Sequence, residues 1–125
     1  SNTAAFINGT PETFGVLAGR DTLVFATLLY GGAGAVAASA NVAARHLVRV
    51  YNACKAGDME GARKAQSELA PLRAAFSLGT FPAVIKEALL MAGLDAGPCR
   101  APVGPLSQDA RRQLRQVMSD LGLLA

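Results

Sequence analysis

The sequence predicts an α/β fold, in which two short parallel strands joined by one helix are followed by helices only. Two uncharged runs, Phe14–Gly19 and Ala35–Ser39, have the length and character of buried strands. Between them lies an amphipathic segment of helical length. Beyond Asn41 the apolar residues recur every three or four positions to the end of the chain. A strand, a helix and a second strand in that order run parallel, because a crossover of this length brings the chain back in its original direction.

Residues 3–8 read as the end of a helix stopped by Gly9, with Thr10-Pro11 as a turn. Phe14–Gly19 is the first strand. Asp21 is expected to cap a helix over Thr22–Tyr30, whose Val24, Phe25, Leu28 and Leu29 make one apolar stripe. Gly31, Gly32 and Gly34 end that helix. Ala35–Ser39, built only from Ala, Val and Ser, follows as a strand with open space beside its backbone. Asn41 is expected to cap a helix over Val42–Ala56, with Ala43, Leu47, Val50, Tyr51 and Cys54 inward and Gly57 as the stop. Asp58 caps the next helix, where Ala62, Ala65, Leu69, Leu72 and Phe76 face inward and Pro71 bends the axis. Thr80-Phe81-Pro82 opens a third, with Pro82 near the first turn, Val84, Ile85, Ala88 and Leu89 inward, and Gly93 at its end. Residues 94–106 form a Pro- and Gly-rich connection. Ser107 caps the last helix, which turns Ala110, Leu114, Val117, Met118 and Leu121 inward and closes at Gly122.

The chain has 125 residues, the size of one domain or of a piece of a larger one. With 51% hydrophobic and 17% charged residues it can bury a core and is not a disordered chain. The net charge of +3 is scattered over nine arginines and three lysines. The local group Arg111, Arg112 and Arg115 is a solvated helix face without interleaved aromatics, so nucleic acid is not an expected partner. Thr22–Ala44 carries no charge and is long enough to span a bilayer. Gly31, Gly32 and Gly34 interrupt it, however, and Ser39 and Asn41 add polarity, so no membrane association is expected. The N-terminus lacks a basic region followed by an apolar one, and no secretory leader is expected. Cys54 and Cys99 have no metal-ligand spacing and are expected to remain thiols in a reducing cytoplasm.

Gly32-Ala-Gly34-Ala-Val-Ala37 fits a loose dinucleotide fingerprint, but that motif needs its glycines after a strand and before a helix. Here they follow a helix and precede a strand. His46, the single histidine, stands beside Arg45 on a helix with no serine or cysteine implied nearby. The carboxylates are spread singly, so no acid/base pair is evident. The residues therefore present no complete catalytic constellation, no metal site and no cofactor site. Two parallel strands alone leave both edges and both faces uncovered, so the chain reads as the end of a longer α/β protein with a helical appendix.

Val16-Leu-Ala-Gly-Arg-Asp21, followed by Gly31-Gly-Ala-Gly-Ala-Val-Ala-Ala-Ser-Ala-Asn41, resembles the seventh and eighth strands of the dihydrodipicolinate synthase/N-acetylneuraminate lyase family. Lys55-Ala-Gly-Asp58, Gly79-Thr-Phe-Pro-Ala-Val-Ile-Lys-Glu87, Gly97-Pro-Cys-Arg-Ala-Pro102 and the closing Ser107…Leu121-Gly-Leu-Leu124 agree with it in order and spacing. The resemblance implies the last part of a (β/α)8 TIM barrel, about two parallel strands, followed by a C-terminal helical extension. Residues 1–41 would be the last βα units, and 42–125 the closing barrel helix and the extension. Whole barrels take about 250 residues, which makes this roughly the last third or more. The missing N-terminal part of the barrel is thus an implied partner, and a homo-oligomer, dimer or tetramer, is implied as well.

Members of the family form a Schiff base between a lysine and the ketone of pyruvate or a related 2-oxo acid, without a further cofactor. The resemblance places that lysine on the sixth strand, the proton-relaying tyrosine on the fifth and the carboxylate-binding threonines on the second, none of them in this sequence. Lys86 matches a lysine of the appendix helix. Lys55 and Lys64 are expected on polar helix faces, not as the desolvated amine this chemistry needs. Val36 matches the eighth-strand position whose backbone contacts pyruvate. Gly19 and Asp21 match the loop that meets the longer substrate in the lyases. Arg20 replaces an acidic residue common in the synthases, and Ala38 a serine that the lyases use for sugar hydroxyls. The resemblance points to a dihydrodipicolinate synthase-like enzyme joining pyruvate and aspartate semialdehyde. Two alternatives are a lyase for another 2-oxo acid, such as 4-hydroxy-2-oxoglutarate, and a non-catalytic helical interaction module.

Overall fold

The computed structural model describes residues 2–125, which divide into two compact units. The first unit holds residues 2–40 and 44–69, the second 41–43 and 70–125. Its first unit begins with α1 (Asn2–Gly9), one residue longer at each end than expected, so that Gly9 is its last residue, and closed by the Thr10 hydroxyl donating to the Phe6 carbonyl at 2.7 Å. Strand β1 is Leu17–Ala18 and strand β2 is Gly34–Ala35. They are parallel, as a strand–helix–strand order requires, with Leu17 opposite Gly34 and Ala18 opposite Ala35.

Both strands are shorter than the apolar runs that announce them. Phe14 is still in a turn, its amide bonded to the Pro11 carbonyl at 2.8 Å. At the other end the chain leaves β2 into a turn closed by the Ala40 amide on the Ala37 carbonyl at 3.0 Å. One backbone bond flanks the ladder on each side, Ala33 N–H to Val16 O and Val36 N–H to Ala18 O, each 2.8 Å.

The connection between the strands is a 3-10 turn at Asp21–Leu23 running into α2 (Val24–Leu29). Its buried side chains are Val24 and Thr27, while Phe25 and Leu28 are half-buried and Leu29 is exposed. The inward stripe is thus narrower than expected, and a threonine holds one of its places. Gly31, at φ +95°, ends the helix in the left-handed region. Gly32 is buried against Thr27. Its amide donates to the Thr27 carbonyl at 2.8 Å, and a Cβ at this position would meet Thr27 Cγ2 and Thr27 O.

Helix α3 (Ala40–Lys55) starts one residue before Asn41, so Asn41 lies in its first turn and is not the cap. Ser39 occupies the cap position, but its side chain makes no capping bond there. The anchor for this helix start comes instead from a different loop, as described below. The backbone of α3 is distorted at Ala43, with φ −121° and ψ 41°. Val50 is fully buried, Leu47 and Cys54 are half-buried, and Tyr51 is exposed with the Lys55 ammonium 5.5 Å from its ring centre. Asp58 caps α4 (Met59–Glu68) by accepting from the Gly61 amide at 2.8 Å. Ala62 and Ala65 face inward, and Arg49 of α3 pairs with Glu68 of α4 at 2.7 Å.

In the second unit α5 spans Ala70–Ala75 and continues as a 3-10 turn at Phe76–Leu78. The helix break falls at Leu69, two residues before Pro71. Proline lacks the amide that would reach back to Ser67, so Pro71 sits in the first turn of a new helix, where that amide is not needed. Helix α6 (Ala83–Met91) follows Pro82, which stands just before its first turn and makes no side-chain capping bond. Helix α7 (Gln108–Asp120) is capped by the Ser107 hydroxyl accepting from the Ala110 amide at 3.2 Å. Leu72, Phe76, Val84, Ile85, Ala88, Leu106, Leu114 and Met118 form this unit's core. The Lys86 ammonium donates to the carbonyls of Ala96 and Pro98 at 3.0 Å each, which holds the 94–106 connection against α6 around a hollow of about 380 Å³.

The closeness of Gly32 to Thr27 gives a direct test. Gly32→Ala should lower stability by about 1–3 kcal/mol, the usual cost of forcing atoms into a filled site. Chemical denaturation of the two proteins measures it, and equal midpoints would contradict the packing described.

Candidate functional site

Parallel strands end on the same side, so the loops after β1 and β2 converge at one edge of the sheet. Open α/β sheets and α/β barrels bind ligands at this carboxyl edge, because the loops there can vary without disturbing the strands. All three residues selected from the sequence, Gly19, Asp21 and Val36, fall in these two loops. Gly19 and Val36 are exposed, Val36 to 72%, whereas Asp21 is 4% exposed.

The Asp21 carboxylate does not point into solvent. Its Oδ1 accepts from the Ser39 amide at 2.7 Å, across the gap between the two loops. A carboxylate taken out of water needs such a donor, and a charged acceptor on an amide makes a short, strong bond. The backbone of Asp21 is held from the other side. Gln66, on α4, donates through Nε2 to the Asp21 carbonyl at 2.9 Å and accepts through Oε1 from the Phe25 amide at 2.9 Å. One side-chain amide thus grips both ends of the turn that leads into α2.

Val36 itself is bonded through its amide to Ala18, so the polar group it can offer at the strand end is its carbonyl. Beside it, Ala37 and Ser39 are buried and Ala38 is half-buried, which keeps the space at this edge free of bulky side chains. The Ser39 hydroxyl is fully buried and has no hydrogen-bond partner among the described residues. Gln66 and Ser39 were not singled out in the sequence. The available signal for Gln66 was a polar residue inside an apolar helix stripe, four residues after Ala62 and three before Leu69. Nothing in the sequence marks Ser39.

The remaining candidates lie elsewhere. Lys55 and Lys64 are exposed on α3 and α4, and Lys86 is engaged with two carbonyls. His46 is half-buried on α3, its Nδ1 without a partner among the described residues. Among these residues no three His, Cys, Asp or Glu side chains come together, and no helix is long and apolar enough to cross a membrane. Burial pushes the Cys54 thiol above its ordinary value, with the Lys55 charge pulling weakly the other way.

Two measurements follow from this geometry. Asp21→Ala strands the buried Ser39 amide and should cost about 1–3 kcal/mol, whereas Ser39→Ala removes a hydroxyl that satisfies nothing and should be neutral or stabilising. A larger loss for Ser39→Ala than for Asp21→Ala in denaturation would reverse the roles assigned here. Because the raised thiol carries less thiolate, Cys54 should react with iodoacetamide at pH 8 more slowly than an unstructured cysteine peptide. Mass spectrometry of a time course reads the rate, and equal or faster labelling would argue against the burial.

Known proteins resemble the chain in sequence and in fold. The profile described as the dihydrodipicolinate synthetase family matches residues 2–121. The 4-hydroxy-tetrahydrodipicolinate synthase of Methanopyrus kandleri is 39% identical over 119 residues, 95% of this chain and 40% of that protein. A dihydrodipicolinate synthase from Cyanidioschyzon merolae, solved with lysine bound, superposes with a TM-score of 0.91 at 28% identity, covering 98% of this chain and 41% of the other. A prophage protein of the same family from Escherichia coli, solved in complex with pyruvate, gives 0.80 at 34% identity over 88% and 38%. The chain therefore spans about two fifths of the length of the relatives it matches, with the fold of the last part of a TIM barrel and a C-terminal helical extension. By sequence and by fold it belongs to the dihydrodipicolinate synthetase family, as a C-terminal portion.

Proposed function

We propose that the chain is the C-terminal part of a Schiff-base-forming class I aldolase that joins pyruvate to aspartate semialdehyde, as a 4-hydroxy-tetrahydrodipicolinate synthase does. What carries the reading is the exposed carboxyl end of β2 at Val36, in a chain whose family includes a member solved with pyruvate. Residues 1–41 then supply the last βα units of the barrel, and 42–125 its closing helix and the helical extension. The upstream part of the barrel is the partner that supplies the lysine and tyrosine. The complete protein is read as a cytoplasmic homo-oligomer.

In this reaction a lysine amine condenses with the ketone of pyruvate and releases water. The resulting imine loses a methyl proton to become an enamine, and the enamine carbon adds to the aldehyde. The part assigned to this chain is to wall the site. Gly19 and the Val36 carbonyl face the ligand, and Asp21 holds the loop that carries Gly19. None of Lys55, Lys64 or Lys86 is placed to be the amine, since two are on helix surfaces and the third is tied to the 94–106 connection.

Borohydride reduction in the presence of pyruvate tests the proposal, because it converts the imine into a stable secondary amine. The parent enzyme should gain one pyruvyl adduct by mass spectrometry, on a lysine upstream of residue 1, and residues 1–125 expressed alone should gain none. An adduct mapped to Lys55, Lys64 or Lys86 would overturn the assignment of the amine. A parent protein that forms no adduct would overturn the enzymatic reading.

A further inference from the structure

We propose that Gln66 is a positioning residue for 2-oxo acid binding, acting from the helical extension through Asp21 on the two loops at the carboxyl edge of the sheet. The inference rests on the aldolase reading above. It starts from a bonding pattern that only a primary amide provides. Oε1 accepts from the Phe25 amide at 2.9 Å while Nε2 donates to the Asp21 carbonyl at 2.9 Å. A carboxylate in the same place has no proton to donate, and a hydrocarbon satisfies neither group.

The consequence passes along bonded atoms. With its carbonyl and the Phe25 amide gripped, the turn at Asp21–Leu23 has one position relative to α4. The Asp21 carboxylate is thereby aimed at Ser39, which it reaches at 2.7 Å. Ser39 is three residues from Val36, with only Ala37 and Ala38 between. The spacing of the two loops is therefore set by α4, an element that belongs to neither strand. Gln66 is half-buried and lies 45 residues from Asp21 in sequence, so the clamp is a tertiary device and not a local turn.

Loosening the clamp should widen the distribution of loop spacings without altering the reacting groups. Binding of pyruvate suffers and turnover of bound substrate does not. This separates a positioning role from a purely structural one, which would lower the folded fraction and leave the half-saturating concentration unchanged.

The experiment uses the parent enzyme, unaltered and as Gln66→Met and Gln66→Glu, with pyruvate and borohydride, and with steady-state kinetics. Gln66→Met should raise the half-saturating pyruvate concentration for trapping by about five- to tenfold, the low end of what two lost hydrogen bonds are worth, with one adduct still formed at saturation and kcat within about twofold. Gln66→Glu keeps the acceptor and loses the donor, so it should bind pyruvate more weakly than the unaltered enzyme too. Lys64→Met, on the exposed face of α4, should leave binding unchanged. In Gln66→Met, amide hydrogen exchange at Phe25 and Ser39 should accelerate together. An unchanged half-saturating concentration in Gln66→Met, with the unaltered enzyme still trapped by pyruvate, overturns the clamp alone. Absence of any adduct in the unaltered enzyme overturns the aldolase reading on which it rests.

Discussion

A carboxylate that is 4% exposed has to be paid for by donors, and around Asp21 those donors organise the first unit. Its bond to the Ser39 amide closes the gap between the loop after β1 and the loop after β2. That bond holds the turn between β2, which ends at Ala35, and α3, which starts at Ala40. Ser39 occupies the cap position of α3 and makes no side-chain capping bond there. Gln66 completes the arrangement by fixing the turn from which the carboxylate projects. The two-residue ladder is too short to fix these loops by itself, so the side-chain bonds supply the order that a longer sheet would supply through its backbone.

The two units differ in how completely they cover their apolar residues. In the first, Phe14, Leu17, Leu29 and Val36 are exposed around a sheet of two strands. A parallel sheet is normally covered on both faces and paired at its edges. In the second, α5, α6 and α7 bury Leu72, Val84, Leu114 and Met118 almost completely among themselves and their connections. A two-stranded sheet left this open matches a chain that spans two fifths of its relatives.

Periodicity identified the helices well, because a stripe at three and four residues has one stable solution in water. Ala62, Ala65, Leu72, Val84, Ala88, Leu114 and Met118 are all buried where that pattern puts them. The strands were legible as parallel but not in extent. Apolar runs such as Phe14–Gly19 show where a chain can be buried, and the hydrogen bonds that end a strand come from residues far away. Asn41 is not the cap because α3 begins one residue earlier, at Ala40, just past a Ser39 amide held by Asp21 from another loop. Leu29 points outward because Thr27 takes the inner place beside Gly32, a contact that hydropathy does not encode. Gly19, Asp21 and Val36 could be chosen through resemblance, but not the difference between them: two are exposed and one is buried. Gln66 stood out only as a polar residue inside an apolar stripe, because its partners, a backbone carbonyl and a backbone amide, have no sequence signature.

The chemistry available at Val36 narrows what this edge can contribute to the proposed reaction. Its amide is spent on Ala18, so it offers an acceptor. The carboxylate and ketone of pyruvate are acceptors too, and two acceptors do not bind one another. A carbonyl at this position instead suits a donor, such as the N–H of a protonated imine or a hydroxyl formed later in the reaction. It would then favour the covalent stages over the free keto acid, which is the direction in which an interaction must act to lower a barrier. The donors for the carboxylate must lie elsewhere, consistent with the threonines that the resemblance places on the second strand. The small side chains from Ala35 to Ala40 acquire a purpose on this view. Under the proposed function they would bring a backbone acceptor close to the reacting centre and leave recognition of the acid to the rest of the barrel.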